Sequence, residues 1–167
     1  MIITFLQRLF CMLSLVAAQM LVFNHIHLFG YATPLPVVYL LLLFPRNTER
    51  WSILLWGFAC GLLSDMVSLS LGVGMASLTL VAFLQPPLLQ LMLPKDALED
   101  MQPGYDTMGF WGYVRYAFLL TLLFVVTDFL LQVFNFFHPL DFLISLVSTW
   151  ALTFVLCLAF EVLRYKL

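Results

Sequence analysis

Long apolar segments, separated by short polar stretches, dominate this chain. Hydrophobic residues make up 63% of its 167 residues and charged residues 10%, against about 45–50% and about 25% in a soluble globular domain. So few charged residues cannot cover a water-facing surface, and the mean hydropathy is +1.05. The sequence therefore predicts an all-α integral membrane protein whose main environment is the lipid bilayer.

Six segments are candidates for membrane-spanning helices, each of which needs about 20 mostly apolar residues. They cover about 3–23, 35–44, 51–66, 71–93, 112–134 and 140–163, in one transmembrane domain over 1–167. The second segment is short, because Pro34 and Pro36 open it and Pro45 follows it. It either borrows length from residues 29–33 or forms a re-entrant hairpin with the third segment.

Basic residues favour one orientation. With the N-terminus inside and six spans, all seven Lys and Arg residues fall on the cytoplasmic side, as the positive-inside rule requires. Both termini are then cytoplasmic, and residues 94–111 form an acidic cytoplasmic loop, either a solvated connector or a docking patch. The net charge of −2 and the lack of a basic cluster argue against nucleic-acid binding.

A competing interpretation concerns the first segment. Val16-Ala17-Ala18-Gln19 follows a short apolar run and resembles a signal-peptidase site. Cleavage there would leave five spans and an external N-terminus. The segment stays apolar as far as Phe23, which favours an uncleaved helix.

Polar side chains recur near the outer ends of the predicted helices. Thr121, Asp128, Gln132 and Asn135 share one helical face, and facing lipid would leave such groups unpaired. We therefore expect a polar, outward-opening groove, or alternatively ordinary hydrogen bonds between helices without a cavity. Its expected lining residues are Gln19, Asp65, Asp128, Gln132, Asn135, Asp141 and Ser145.

Two features of the third segment have structural interpretations. Gly57 and Gly61 are four residues apart, a spacing that lets two helices approach closely. With Gly72 they are predicted to serve helix packing, within the chain or in a contact with a partner or second copy. Asp65 follows Ser64 at the end of the segment and is placed to cap the next helix.

Catalysis and metal binding have little support. The spacing of His25, His27 and His138 is weak for a zinc site. Cys11, Cys60 and Cys157 have neither metal-ligand nor disulfide-framework spacing. There is no G-x-S-x-G motif or Walker motif. We expect a protein that is not an enzyme and has no metal and no cofactor.

The stretch from Trp56 to Gly72, with Gly57, Gly61, Asp65 and the pair Leu71-Gly72, resembles the rod shape-determining protein MreD family. The resemblance extends to chain length, six spans and prolines opening the second segment. It implies a non-enzymatic subunit of the cell-elongation machinery in the bacterial inner membrane. The implied partners are MreC and, through it, MreB, RodA and penicillin-binding protein 2, and the implied role is to organise lateral peptidoglycan synthesis.

The resemblance also implies a fold similar to the S-components, the substrate-binding subunits of energy-coupling-factor transporters. This leaves an alternative function, a solute-binding subunit of such a transporter, in which the polar groove would hold a ligand. Small-residue motifs of the form Ala-x-x-x-Ala would then be expected in the first segment. Only Ala17-Ala18 stands there, which favours the scaffold interpretation.

Overall fold

The fold consists of helices. The computed structural model describes residues 2–21, 34–68, 72–93, 101–132 and 139–166, without the side chains of residues 2–5, 20, 21, 67, 139–141 and 166. In these ranges every regular element is helical, which confirms the all-α prediction and fits a count of six helical segments. The helices are α1 (Ile2–Leu21), α2 (Tyr39–Leu42, after a 3-10 turn at Pro36–Val38), α3 (Arg50–Ser68), α4 (Val73–Met92), α5 (Tyr105–Gln132) and α6 (Pro139–Lys166).

The surface of these helices suits a membrane. Among the described residues, three helices are long and apolar enough to cross one: Val73–Met92, Tyr105–Gln132 and Phe142–Tyr165. Leu6–Gln19 is a shorter apolar helix. Large apolar side chains point outward, with Phe10 and Leu91 more than 70% exposed, an arrangement that water penalises and lipid accepts. The chain is therefore a membrane protein.

Contacts fix the relative direction of α1 and α3. Near the C-terminal ends of both helices, Gln19 Nε2 donates a hydrogen bond to Ser64 Oγ at 3.1 Å. Near the start of α1, the Arg8 guanidinium carbon lies 4.8 Å from the centre of the Phe44 ring, just before α3. The two helices therefore run parallel, and the chain between them returns from one end of the bundle to the other.

The remaining helices alternate in direction. Asp65, near the end of α3, accepts hydrogen bonds from the first turn of α4, and Gln102, just before α5, accepts one from Arg164 near the end of α6. Arg8 and Arg164 line one cleft, so the start of α1 and the end of α6 lie at the same end of the bundle. We call this the terminal end and the opposite one the α3–α4 end.

The second segment lies at the centre of the bundle. Its Leu35 N–H donates to Thr153 Oγ1 at 3.2 Å, about halfway along α6. Irregular backbone is tolerated inside a membrane where it is buried in protein and its polar groups are satisfied. The helical part can therefore be short. The hydrophobic residues no more than 1% exposed there are Val37, Val38, Leu40, Leu41, Leu42 and Phe44.

α5 begins earlier than expected from the sequence. The predicted loop over 94–111 ends in a helical turn from Tyr105, and a break at Gly109, with φ of 71°, separates this turn from the long apolar helix. A positive φ favours glycine, which has no Cβ to clash. The described part of the predicted loop therefore packs against the bundle, where Tyr105 Oη donates to the Leu158 carbonyl at 3.4 Å.

Candidate functional site

Asp65, near the end of α3, joins α3 to the start of α4. Its Oδ1 accepts the Gly74 N–H and its Oδ2 accepts the Met75 N–H, both at 2.8 Å. These amides belong to the first turn of α4, where N–H groups have no partner within the helix and the helix dipole favours a negative charge. Asp65 thus caps α4, as expected, although it lies nine residues before Gly74 in the chain.

Three glycines permit this close contact between α3 and α4. Gly72 has a φ of 80°, which a side chain would strain. A Cβ on Gly74 would lie 2.5 Å from Asp65 Oδ1, and a Cβ on Gly61 would lie 2.5 Å from the Met75 Cα. Both distances are too short for real atoms, so a side chain at either position would disturb the contact between α3 and α4.

Gly57 extends the same contact along α3. A Cβ there would lie 2.7 Å from the Ala82 Cβ and 3.1 Å from the Leu78 carbonyl oxygen. The G-x-x-x-G pair therefore packs α3 against α4 within the chain, as the intramolecular interpretation predicted. This face is not available to a partner or to a second copy.

Asp128 joins α4 to α5. It is 4% exposed, and its two oxygens accept separate hydrogen bonds: Oδ1 from Ser77 Oγ at 3.1 Å and Oδ2 from Gln132 Nε2 at 2.6 Å. Ser77 Oγ also lies 3.2 Å from the Gly74 carbonyl oxygen. Because a buried carboxylate is costly unless it is hydrogen-bonded, these donors are what lets Asp128 lie inside the bundle.

Gln19 brings α1 to the same end. It is 2% exposed and donates to Ser64 Oγ through Nε2, while its Oε1 has no hydrogen-bond partner among the described residues. An unpartnered buried acceptor costs about 1–3 kcal/mol, so this oxygen is a place where a further donor would be stabilised. We call the residues around these bonds the α3–α4 polar cluster: Gln19, Ser64, Asp65, Ser77, Asp128 and Gln132.

The structure brings together four of the seven residues expected to line a groove: Gln19, Asp65, Asp128 and Gln132. Ser145 is half-buried on α6 and is not joined by these bonds. Asn135 and the Asp141 side chain lie outside the described residues, so a groove bounded by them stays a prediction. Ser77 was missed because a serine inside an apolar helix carries no partner signal in the sequence.

A second polar group, at the terminal end, was also missed. Glu161 is 3% exposed. Its Oε2 accepts the Tyr39 hydroxyl at 2.9 Å and lies 3.6 Å from Arg164 Nη1. The spacing of Glu161 and Arg164 on one helix was a usable signal, but nothing in the sequence indicated that Tyr39 would meet them.

The chemistry of these groups is that of hydrogen bonding and charge pairing. In the described part of the chain, no three His, Cys, Asp or Glu side chains are grouped to hold a metal ion. His25, His27 and His138, considered for zinc, lie outside that part. In the α3–α4 polar cluster the Ser77 hydroxyl donates to Asp128 and the Asp65 carboxylate accepts two backbone N–H groups, so both carboxylates serve there as hydrogen-bond acceptors.

Comparison with known proteins returned no relatives. No family model, no curated protein and no solved structure matches this chain.

Proposed function

We propose that the chain is a non-enzymatic scaffold subunit of the MreD type in the bacterial inner membrane. It would bind MreC through its helices and, through MreC, act with MreB, RodA and penicillin-binding protein 2 in organising lateral peptidoglycan synthesis. Its six segments would cross the membrane with both termini in the cytoplasm, and its fold would be similar to that of energy-coupling-factor S-components.

The observation that carries this proposal is that the residues behind the MreD resemblance act as one unit. Gly57 and Gly61 give α3 its close approach to α4, and Asp65 caps the helix that this approach brings within reach. The residues that carry the resemblance thus meet at one junction between α3 and α4, and this supports the proposal.

The distribution of charge supports the orientation. Arg8 and Arg164 lie together at the terminal end, and Arg46 is near it, since its N–H donates to the Met101 carbonyl at 3.3 Å. Because cytoplasmic loops carry an excess of Lys and Arg, the terminal end would face the cytoplasm. The α3–α4 polar cluster would face the periplasm.

Gln132 is the exposed member of that cluster, and it offers a surface for MreC at the periplasmic end. Its side chain already bonds Asp128, whose carboxylate is buried, so a partner group approaching this end would meet the Gln132 amide. Gly61 and Asp65 are unsuitable for testing partner binding, because both hold α3 and α4 together and their loss would disturb the fold.

The test is a mild-detergent pull-down of the tagged chain from its native membrane, with mass spectrometry of the proteins recovered. We expect MreC and the elongation synthases with the wild-type chain, and less MreC with Gln132→Ala. Gln90→Ala is the matched control, because Gln90 is an exposed glutamine near the other end of the bundle.

Two results would contradict the proposal. Recovery of an ATPase and coupling subunits in place of MreC would identify a solute-binding transporter subunit. Equal MreC recovery with Gln132→Ala and Gln90→Ala would show that MreC does not bind at Gln132 in the α3–α4 polar cluster.

A further inference from the structure

A cleft opens at the terminal end, where α1, the end of the second segment and the last turns of α6 meet. Its volume is about 150 Å³. Four of its lining residues have long polar side chains, namely Gln7, Arg8, Gln102 and Arg164, and the others are Cys11, Leu40, Leu43 and Phe44. Hydrogen-bond donors and apolar side chains thus line the same cleft.

The cleft has an excess of positive charge. Arg164 is partly compensated, since its Nη1 lies 3.6 Å from Glu161 Oε2 and its Nη2 donates to Gln102 Oε1 at 2.7 Å. Arg8 packs over the Phe44 ring, and no carboxylate among the described residues pairs with it. Within the part of the chain that the structure describes, two guanidinium groups stand against one carboxylate here, which leaves one positive charge for a ligand.

The neighbouring face of α1 suits a lipid tail. Leu6, Phe10 and Leu13 recur at helical spacing and are 56%, 74% and 51% exposed. This face adjoins Gln7 and Arg8, which line the cleft. A molecule with an anionic head in the cleft would therefore find an exposed apolar surface for its chains one turn further along the helix.

We propose that this cleft binds the phosphate of an anionic phospholipid headgroup, with Arg8 as the principal contact. Guanidinium groups match phosphate geometry through paired N–H donors, and basic pockets between transmembrane helices recognise anionic headgroups. The Gln7 amide and the amide N–H groups of Gln102 would donate to the remaining oxygens. The proposal rests on the chain lying in a membrane and is independent of the MreC proposal.

Native mass spectrometry of the full chain in neutral detergent tests it. The protein is incubated with equal amounts of phosphatidylglycerol and phosphatidylcholine, and the lipids retained are counted. We expect phosphatidylglycerol to be retained preferentially and Arg8→Gln to weaken its binding about fivefold, the effect of one basic residue near a membrane surface. Arg50→Gln is the matched control, because Arg50 is exposed and does not line the cleft.

A second pair of variants keeps the Arg8 packing intact. Gln7→Glu adds a negative charge to the cleft and should lower phosphatidylglycerol retention, whereas Gln90→Glu, on an exposed residue of α4 outside the cleft, should not. Equal retention of the two lipids, or equal loss with the variants and their controls, would overturn the proposal.

Inorganic phosphate distinguishes the two sources of the anion. If phosphate without lipid raises the unfolding temperature in an Arg8-dependent way and phosphatidylglycerol adds nothing further, the ligand is a free phosphate and the lipid assignment is wrong. If phosphatidylglycerol has the effect and inorganic phosphate does not, the lipid assignment is supported.

Discussion

At the scale of single residues, Asp65 shows how one carboxylate on α3 can cap the helix that follows it. Its two oxygens accept two backbone N–H groups that α4 leaves without partners, and charged acceptors make the stronger hydrogen bonds. The side chain is only 9% exposed, so water does not easily replace the bonds when they are lost.

Asp65→Ala should therefore lower the free energy of unfolding by about 1–2 kcal/mol, the range measured for lost helix caps. Asp106→Ala is the control: Asp106 is an exposed acid in the first turn of α5, and its removal should change stability by less than about 0.5 kcal/mol. Denaturant or thermal unfolding in detergent measures both, and equal losses would contradict the capping role.

At the scale of elements, the second segment depends on its neighbours more than the other described helices do. Its helix is four residues long, too short to be stable alone, and the backbone before it needs a partner on another helix. Thr153 supplies that partner: its Oγ1 accepts the Leu35 N–H and donates to the Thr149 carbonyl at 2.7 Å.

Thr153→Val should leave the part-buried Leu35 N–H without its acceptor and should cost about 1 kcal/mol. Thr79 provides a close control, because its Oγ1 also donates to the carbonyl four residues earlier, at 2.6 Å, but accepts no N–H from the described backbone. Thr79→Val should therefore be nearly neutral. Equal unfolding midpoints for the two variants in detergent would exclude the proposed support of the second segment.

At the scale of the whole molecule, the direction of the chain has a topological consequence. α1 begins and α6 ends at the terminal end of the bundle, and the α3–α4 end lies opposite. Residues of these two ends should therefore be accessible from opposite sides of the membrane. Gln102 and Gln132 are exposed residues at these two ends, and they suit a labelling experiment.

With an impermeant thiol reagent on intact spheroplasts, Gln132→Cys should be labelled and Gln102→Cys should be labelled only after lysis. The wild-type chain gives the background, since Cys60 and Cys157 are buried and Cys11 is half-buried. Labelling of Gln102→Cys in intact cells would reverse the proposed orientation. Labelling of both variants there would contradict the placement of these residues at opposite ends.

The sequence by itself determined the class and the helices of this protein. Apolar segments of sufficient length can satisfy their backbone only as helices in lipid. Pro36 and Gly72 mark helix starts, although Pro86 and Pro87 lie inside α4. The packing role of Gly57 and Gly61 and the capping role of Asp65 could also be predicted from the sequence, since both follow from local geometry at a helix end or face.

Only the tertiary structure decided which polar side chains meet. Ser77 with Asp128, Tyr39 with Glu161 and Leu35 with Thr153 pair across 51, 122 and 118 positions of the chain. In an apolar background each polar group must find some partner, but helical periodicity fixes a face and not the neighbour that covers it. The relative rotation of the packed helices makes that choice.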